Sequence, residues 1–170
     1  MKIRVNIAFH EAESVRLLNW LASANMRAFL RRPDLPNLYE SGAVYRREKE
    51  ETWCDVVNLL AQGHEDCDAL AAYRAGELMA RGVRAMRPWQ PGYRDAMRLG
   101  LKHIKAWVFL RTNLKRGESG QYHCMVKYRI AGRTYIDDPS LRLGMVNKRI
   151  DPNISREWAE RGIVPAWEPA

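Results

Sequence analysis

Gln62-Gly63-His64-Glu65-Asp66-Cys67-Asp68-Ala69-Leu70-Ala71-Ala72-Tyr73-Arg74-Ala75-Gly76-Glu77-Leu78-Met79-Ala80-Arg81-Gly82 reads as a loop that delivers a cysteine to the first turn of a helix. Asp66 is placed to cap the helix, the Ala and Leu residues favour its propagation, Glu77 and Arg81 stand one turn apart, and Gly82 is expected to stop it. Cys67 then sits where unpaired backbone N–H groups and the positive end of the helix dipole favour a thiolate. A thiolate there becomes a nucleophile when a base faces it.

The base and its orienting acid lie downstream. Tyr122-His123-Cys124-Met125-Val126-Lys127-Tyr128-Arg129-Ile130 alternates like a strand, and Arg133-Thr134-Tyr135-Ile136-Asp137-Asp138-Pro139-Ser140 follows it after Ala131-Gly132. A two-residue hairpin loop pairs Ile130 with Arg133, Tyr128 with Tyr135 and Met125 with Asp138. Opposed residues share a face, so Asp138 falls on the face of His123, diagonally across from it, and Asp137 on the other. The choice between the two acids rests on register alone; a bulge or an odd loop length would exchange them.

Chain order Cys, His, Asp, with the Cys opening a helix and the other two on adjacent strands, resembles the transglutaminase-like, papain-related cysteine hydrolase superfamily. By that resemblance Cys67 matches the nucleophile, His123 the base and Asp138, before Pro139, the orienting acid. A narrower resemblance runs from Leu35-Pro36-Asn37-Leu38-Tyr39-Glu40-Ser41-Gly42 and Tyr45-Arg46-Arg47-Glu48, through Trp53 and Asp66-Cys67, to Asp138-Pro139-Ser140 and Leu143-Gly144-Met145. In those segments the chain is similar to small transglutaminase-like proteins encoded among tailed-phage structural genes, and Glu65 and Ala69 stand where that likeness leads one to expect Gly and an acid. The fold implied is α+β, a helix-borne Cys packed against an antiparallel β-sheet in a transglutaminase-like, papain-like core. The implied partners are phage structural proteins, and the implied location is the virion, in its head-tail or tail region.

A chain of 170 residues is most simply one domain, with residues 151–170 either docked on it or a candidate carboxyl-terminal arm for a partner. It has no apolar run of about 18 residues to span a membrane and no signal-peptide core, which points to a protein made in the cytoplasm. Cys54, Cys67 and Cys124 are an odd set that does not suggest a disulfide framework. A zinc site would have to gather Cys54, His64, Cys67, His123 and Cys124, but no close Cys-x-x-Cys pair is present, so neither metal nor cofactor is expected. The net charge of +8 is uneven: residues 1–82 carry 11 bases and 12 acids, net −1, and residues 83–170 carry 17 and 8, net +9. That bias favours an anionic neighbour, or else serves as a solvated basic face.

Lys2 to Phe9 alternates as a half-buried strand. Glu11 to Arg32 has the apolar period of a core helix, with Pro33 ending it. Asp34 to Glu48 is a long connection in which Tyr39 is expected to bury its ring and tie the loop down by its hydroxyl. Glu50 to Ala61 reads as a short helix with Trp53, Val56, Val57 and Leu60 on one face. Val83 to Trp89 and His103 to Arg111 read as strands, Tyr93 to Leu99 as a brief helix or loop, Lys115 to Gly120 as a turn, and Ser155 to Arg161 as a capped helix.

In the chemistry expected of these residues, Cys67 attacks an amide or ester carbonyl, His123 moves the proton and Asp138 fixes the imidazole tautomer. The Cys67 backbone N–H is one oxyanion donor, and Gln62 or the Trp53 indole a candidate second. The rival is a virion structural protein that keeps the fold as a binding scaffold without turnover; negative charge at Glu65 and Asp66, beside the thiol, favours it. A nucleic-acid binder has the charge but no recognised motif.

Overall fold

The cysteine-bearing helix is buried along its first three turns, from Asp68 to Leu78. A helix covered on all sides needs partners all round it, and the rest of the chain supplies them. The structure, a computed structural model, describes residues 2–4, 11–48, 52–85, 105–112, 122–130, 132–145 and 163–165. Their elements are β1 (Lys2–Arg4), α1 (Glu11–Arg31), a 3-10 turn (Leu38–Glu40), β2 (Val44–Tyr45), β3 (Thr52–Cys54), α2 (Val56–Gln62), β4 (His64–Glu65) and α3 (Cys67–Ala85). β5 (Lys105–Thr112), β6 (Tyr122–Ile130), β7 (Arg133–Asp137), α4 (Pro139–Arg142) and β8 (Ile163–Pro165) follow, giving an α+β architecture.

One core cluster lies between α1, α3 and the main sheet, built on Leu18, Leu21, Trp53, Ala72, Val108 and Val126. A second lies on the other side of α3, built on Phe29, Leu38, Cys54, Leu59, Leu70 and Tyr73. α1 crosses α3 at Gly76, where a Cβ would stand 2.6 Å from Asn25 Cβ and 2.8 Å from the Ala22 carbonyl oxygen, so only glycine lets the two backbones approach this closely. On α1, Asn19 caps the sheet edge: its amide donates to the Val108 carbonyl at 3.0 Å and its oxygen accepts from the Val108 N–H at 2.9 Å. Two backbone groups of an edge strand are satisfied in this way.

The main sheet runs β5-β6-β7-β8, antiparallel except for the parallel β7–β8 pair. Its hairpin has the expected register, with Ile130 opposite Arg133 and Tyr128 opposite Tyr135. Cys124, Val126 and Tyr128 face the helices, as the alternation predicts.

Two expectations change. Glu50 to Ala61 is not one helix: Thr52–Cys54 pairs antiparallel with Lys2–Arg4, and the helix begins at Val56, where Asp55 accepts from the Asn58 N–H at 3.1 Å. Gly82 does not stop α3, which continues through it to Ala85, so Val83 to Ala85 is helix rather than the start of a strand. Within the carboxyl-terminal tail, Ile163–Pro165 forms a strand against β7, with Thr134 opposite Ile163. The expected elements at residues 86–89, 93–99, 115–120 and 155–161, the end of the first strand and His103 lie outside the described residues.

Candidate functional site

β4 feeds straight into α3. Its parallel pairing with β2, Val44 to His64 and Tyr45 to Glu65, fixes the entry angle, and β2 is held on its other side by the Tyr45 N–H to the Leu143 carbonyl at 2.9 Å. Cys67 therefore opens α3 between β2 and the end of the β6–β7 hairpin. The Asp66 carboxylate reaches the Asp68 N–H across a long 3.4 Å, and Asp68 accepts from the Ala69 N–H at 2.6 Å, so the first turn is capped by acids.

Asp138 lies one residue past the β7 ladder, where register placed it. Its Oδ2 meets His123 Nε2 at 2.7 Å, and its Oδ1 accepts the Leu141 N–H at 3.1 Å as the N-cap of α4, with Pro139 in the first turn. Two bonds in different directions fix the carboxylate. Because Nε2 is taken, Nδ1 is the nitrogen left for the cysteine, and His123 and the Cys67 sulfur each shift the other's titration. Cys67, His123 and Asp138 thus form one connected chain of side chains.

The electrostatics favour an ion pair within it. Hydrogen bonding from the Cys124 thiol, opposed by burial and aided by His123 and the Cys124 backbone N–H, brings the Cys67 thiol down to about 5. For His123, burial disfavours the charged ring, but the hydrogen bonds to Asp138 and Cys67 outweigh it and carry the imidazole up to about 10. Between those values the site holds a thiolate beside an imidazolium. The other two thiols differ: Cys124 is pushed well above its ordinary value, first by burial, and Cys54 is fully buried and donates to Glu65 Oε1 at 2.9 Å.

Asp137 points to the opposite side, as expected, and is fully buried there. It accepts from Arg74 Nε at 2.8 Å and from the Tyr39 hydroxyl at 2.7 Å, while Arg74 also pairs with Glu77 at 2.8 Å. Arg142 stacks over the Tyr39 ring at 3.8 Å. This buried network joins α3, the 34–48 connection and α4, so the helix carrying Cys67 and the turn carrying Asp138 share one anchor.

Of the two oxyanion candidates, Gln62 is turned elsewhere. Gln62 Nε2 donates to the His64 carbonyl at 2.9 Å, to the Glu65 carboxylate, and more distantly to Cys54 Sγ at 3.8 Å. Its two amide hydrogens are thereby engaged away from Cys67. Trp53, on β3, is 4% exposed and belongs to the core cluster against which Cys67 packs. The charge of Glu65 is also turned aside: its carboxyl is buried, pushed upward by that burial, and bonded to Cys54, Gln62 and the Asp66 N–H.

Sequence reasoning missed Cys124 as a site residue. The signal was present: strand alternation puts it on the face that meets α3, one residue from the candidate base. The hydroxyl of Tyr45, on β2, is raised first by burial and then by the charges of Cys67 and Asp66.

Among the described residues no cluster of side chains suits a metal ion, and no helix is long and apolar enough to cross a membrane. Comparison with protein families, with curated proteins and with solved structures returned no match.

Proposed function

We infer that this protein is a transglutaminase-like cysteine acyl-transfer protein with a papain-related core, acting on an amide in a protein or a peptidoglycan peptide and associated with a phage virion. The observation that carries the chemical part is the His123–Asp138 hydrogen bond beside Cys67, with the thiol lowered and the imidazole raised. The virion part rests on the sequence resemblance.

In this reading the Cys67 thiolate adds to the carbonyl carbon, and the oxyanion is held by the Cys67 backbone N–H at the start of α3. The His123 imidazolium gives its proton to the departing amine, leaving a thioester. His123, now neutral, takes a proton from water or from an attacking lysine amine, which releases a free acid or forms a cross-link. Asp138 holds the ring so that Nδ1 stays aimed at the sulfur. No cofactor enters these steps.

The test is to incubate the full chain with an activated ester of a short peptide and locate any acyl group by mass spectrometry. An adduct at Cys67 that is lost in Cys67→Ala and slowed about 100-fold or more in His123→Ala supports acyl transfer. An adduct elsewhere, or one indifferent to His123, contradicts it.

One observation favours a second reading, a virion scaffold without turnover: the Gln62 amide is committed to Glu65 and His64 rather than offered to an oxyanion. In that reading the protein is found in purified particles, and Cys67→Ala assembles and functions as the parent does.

A further inference from the structure

The feature left over by the mechanism is the second thiol. Acyl transfer requires Cys67, His123 and Asp138; it gives no role to Cys124, which sits in the core cluster against which Cys67 packs and lies near enough that each thiol shifts the other's titration. Cys67 packs against the core cluster that contains Cys124, whereas Cys54 belongs to the other cluster and is engaged with Glu65. Two thiols are therefore held together by α3 and β6, one partly buried and one fully buried, while the third is held apart.

We propose that Cys67 and Cys124 form a peroxide-reactive dithiol, in which Cys124 resolves oxidised Cys67 as an intramolecular disulfide and so protects the nucleophile reversibly. The inference rests on the Cys67 thiolate that the proposed function uses, not on acyl transfer itself.

The chemistry is as follows. The Cys67 thiolate attacks one oxygen of hydrogen peroxide, the O–O bond breaks, and the sulfur is oxidised by two electrons to a sulfenic acid as hydroxide leaves. The Cys124 sulfur then attacks the Cys67 sulfur. The S–S bond forms, the S–O bond breaks, and the second hydroxide leaves; the two hydroxides take up the Cys124 proton and one from solvent, giving two waters. A small dithiol reverses the change by thiol–disulfide exchange through a mixed disulfide.

The order of events follows from the environments. Cys67 is the thiol that stands as a thiolate at neutral pH, so it reacts first. Cys124 is raised by burial and by the charge of Cys67, and the second of these causes vanishes once Cys67 carries a neutral sulfenic acid. Oxidation of the first sulfur thus removes one of the causes that keep the second protonated, while burial, the larger cause, remains.

The experiment treats the full chain with a small excess of hydrogen peroxide at neutral pH, quenches with an alkylating agent, and maps the thiols after cleavage at basic residues and after glutamate. Cleavage after Glu65 separates Cys54 from Cys67. The expected result is a peptide joining Cys67 to Cys124, removed by a dithiol. Cys124→Ser should instead accumulate sulfinic acid at Cys67 that a dithiol does not reverse. Overoxidised Cys67 in the parent with no cross-link, or a cross-link to Cys54, overturns the proposal. The parent protein alone decides the matter, so a poorly folded variant does not leave it open. Acylation by the activated ester, measured on the same preparation, separates the two ideas: an acyl-enzyme without the disulfide removes this inference alone, and a disulfide without an acyl-enzyme removes the proposed function alone.

Discussion

At the scale of single residues the account rests on opposing shifts in one pair. His123 has a folded value near 10, above its ordinary 6.5, so its stabilising contribution is full below about 6.5 and is lost as pH rises toward 10. Cys67 has a folded value near 5, below its ordinary 9.0, so its contribution is full above about 9 and is lost as pH falls toward 5. The slopes cancel between 6.5 and 9. Denaturant unfolding is therefore expected to give a site contribution that is greatest in that window and declines on both sides. Its reference is Cys67→Ala, in which the decline on the acid side should be absent and the decline on the alkaline side reduced but kept in part, since Asp138 still raises His123; identical pH profiles for the two proteins contradict the ion pair.

At the scale of elements, close approach and buried charge make separate predictions. Gly76→Ala forces a Cβ into the α1 backbone and should cost about 1–3 kcal/mol by urea unfolding, despite the better helix propensity of alanine. A stabilised variant would mean that the helices do not cross there. Asp137→Asn removes one partner of the buried Arg74 and should cost about 3 kcal/mol, the low end for such a loss because Glu77 still holds the guanidinium. A loss well under 1 kcal/mol would show that the network adds little. The elements that sequence made legible were the local ones. The hairpin follows from a two-residue loop whose Gly132 takes a φ of 84°, and that register alone separated Asp138 from Asp137. What was not legible depends on distant partners. Thr52–Cys54 is three residues long, its apolar spacing runs on into α2, and only pairing with Lys2–Arg4, far away in sequence, makes it a strand. Gly82 carries a stop signal, yet its surroundings keep it buried within α3, so tertiary packing overrides local preference. Gln62 had the right spacing before Cys67, but its amide is claimed by Glu65 and His64, which spacing does not reveal.

At the scale of the whole molecule, charge and the assembly of the site matter most. The +9 carried by residues 83–170, against −1 before them, predicts association with an anionic protein or polymer that weakens steeply between low and physiological salt. Sedimentation with such a partner at several ionic strengths checks it, and association indifferent to salt would leave the charge as a device for solubility. The site is itself a product of the whole fold, since Cys67 opens α3 while His123 and Asp138 come from a hairpin more than one element later. The most direct test of the central claim is the pH dependence of alkylation at Cys67 in the intact protein, followed residue by residue by mass spectrometry. The account predicts that Cys67 labels faster than Cys54 and Cys124, with a rate that falls off only near pH 5 and a midpoint that moves upward in His123→Ala. A midpoint close to 9 in the parent protein, unchanged when His123 is removed, would contradict it.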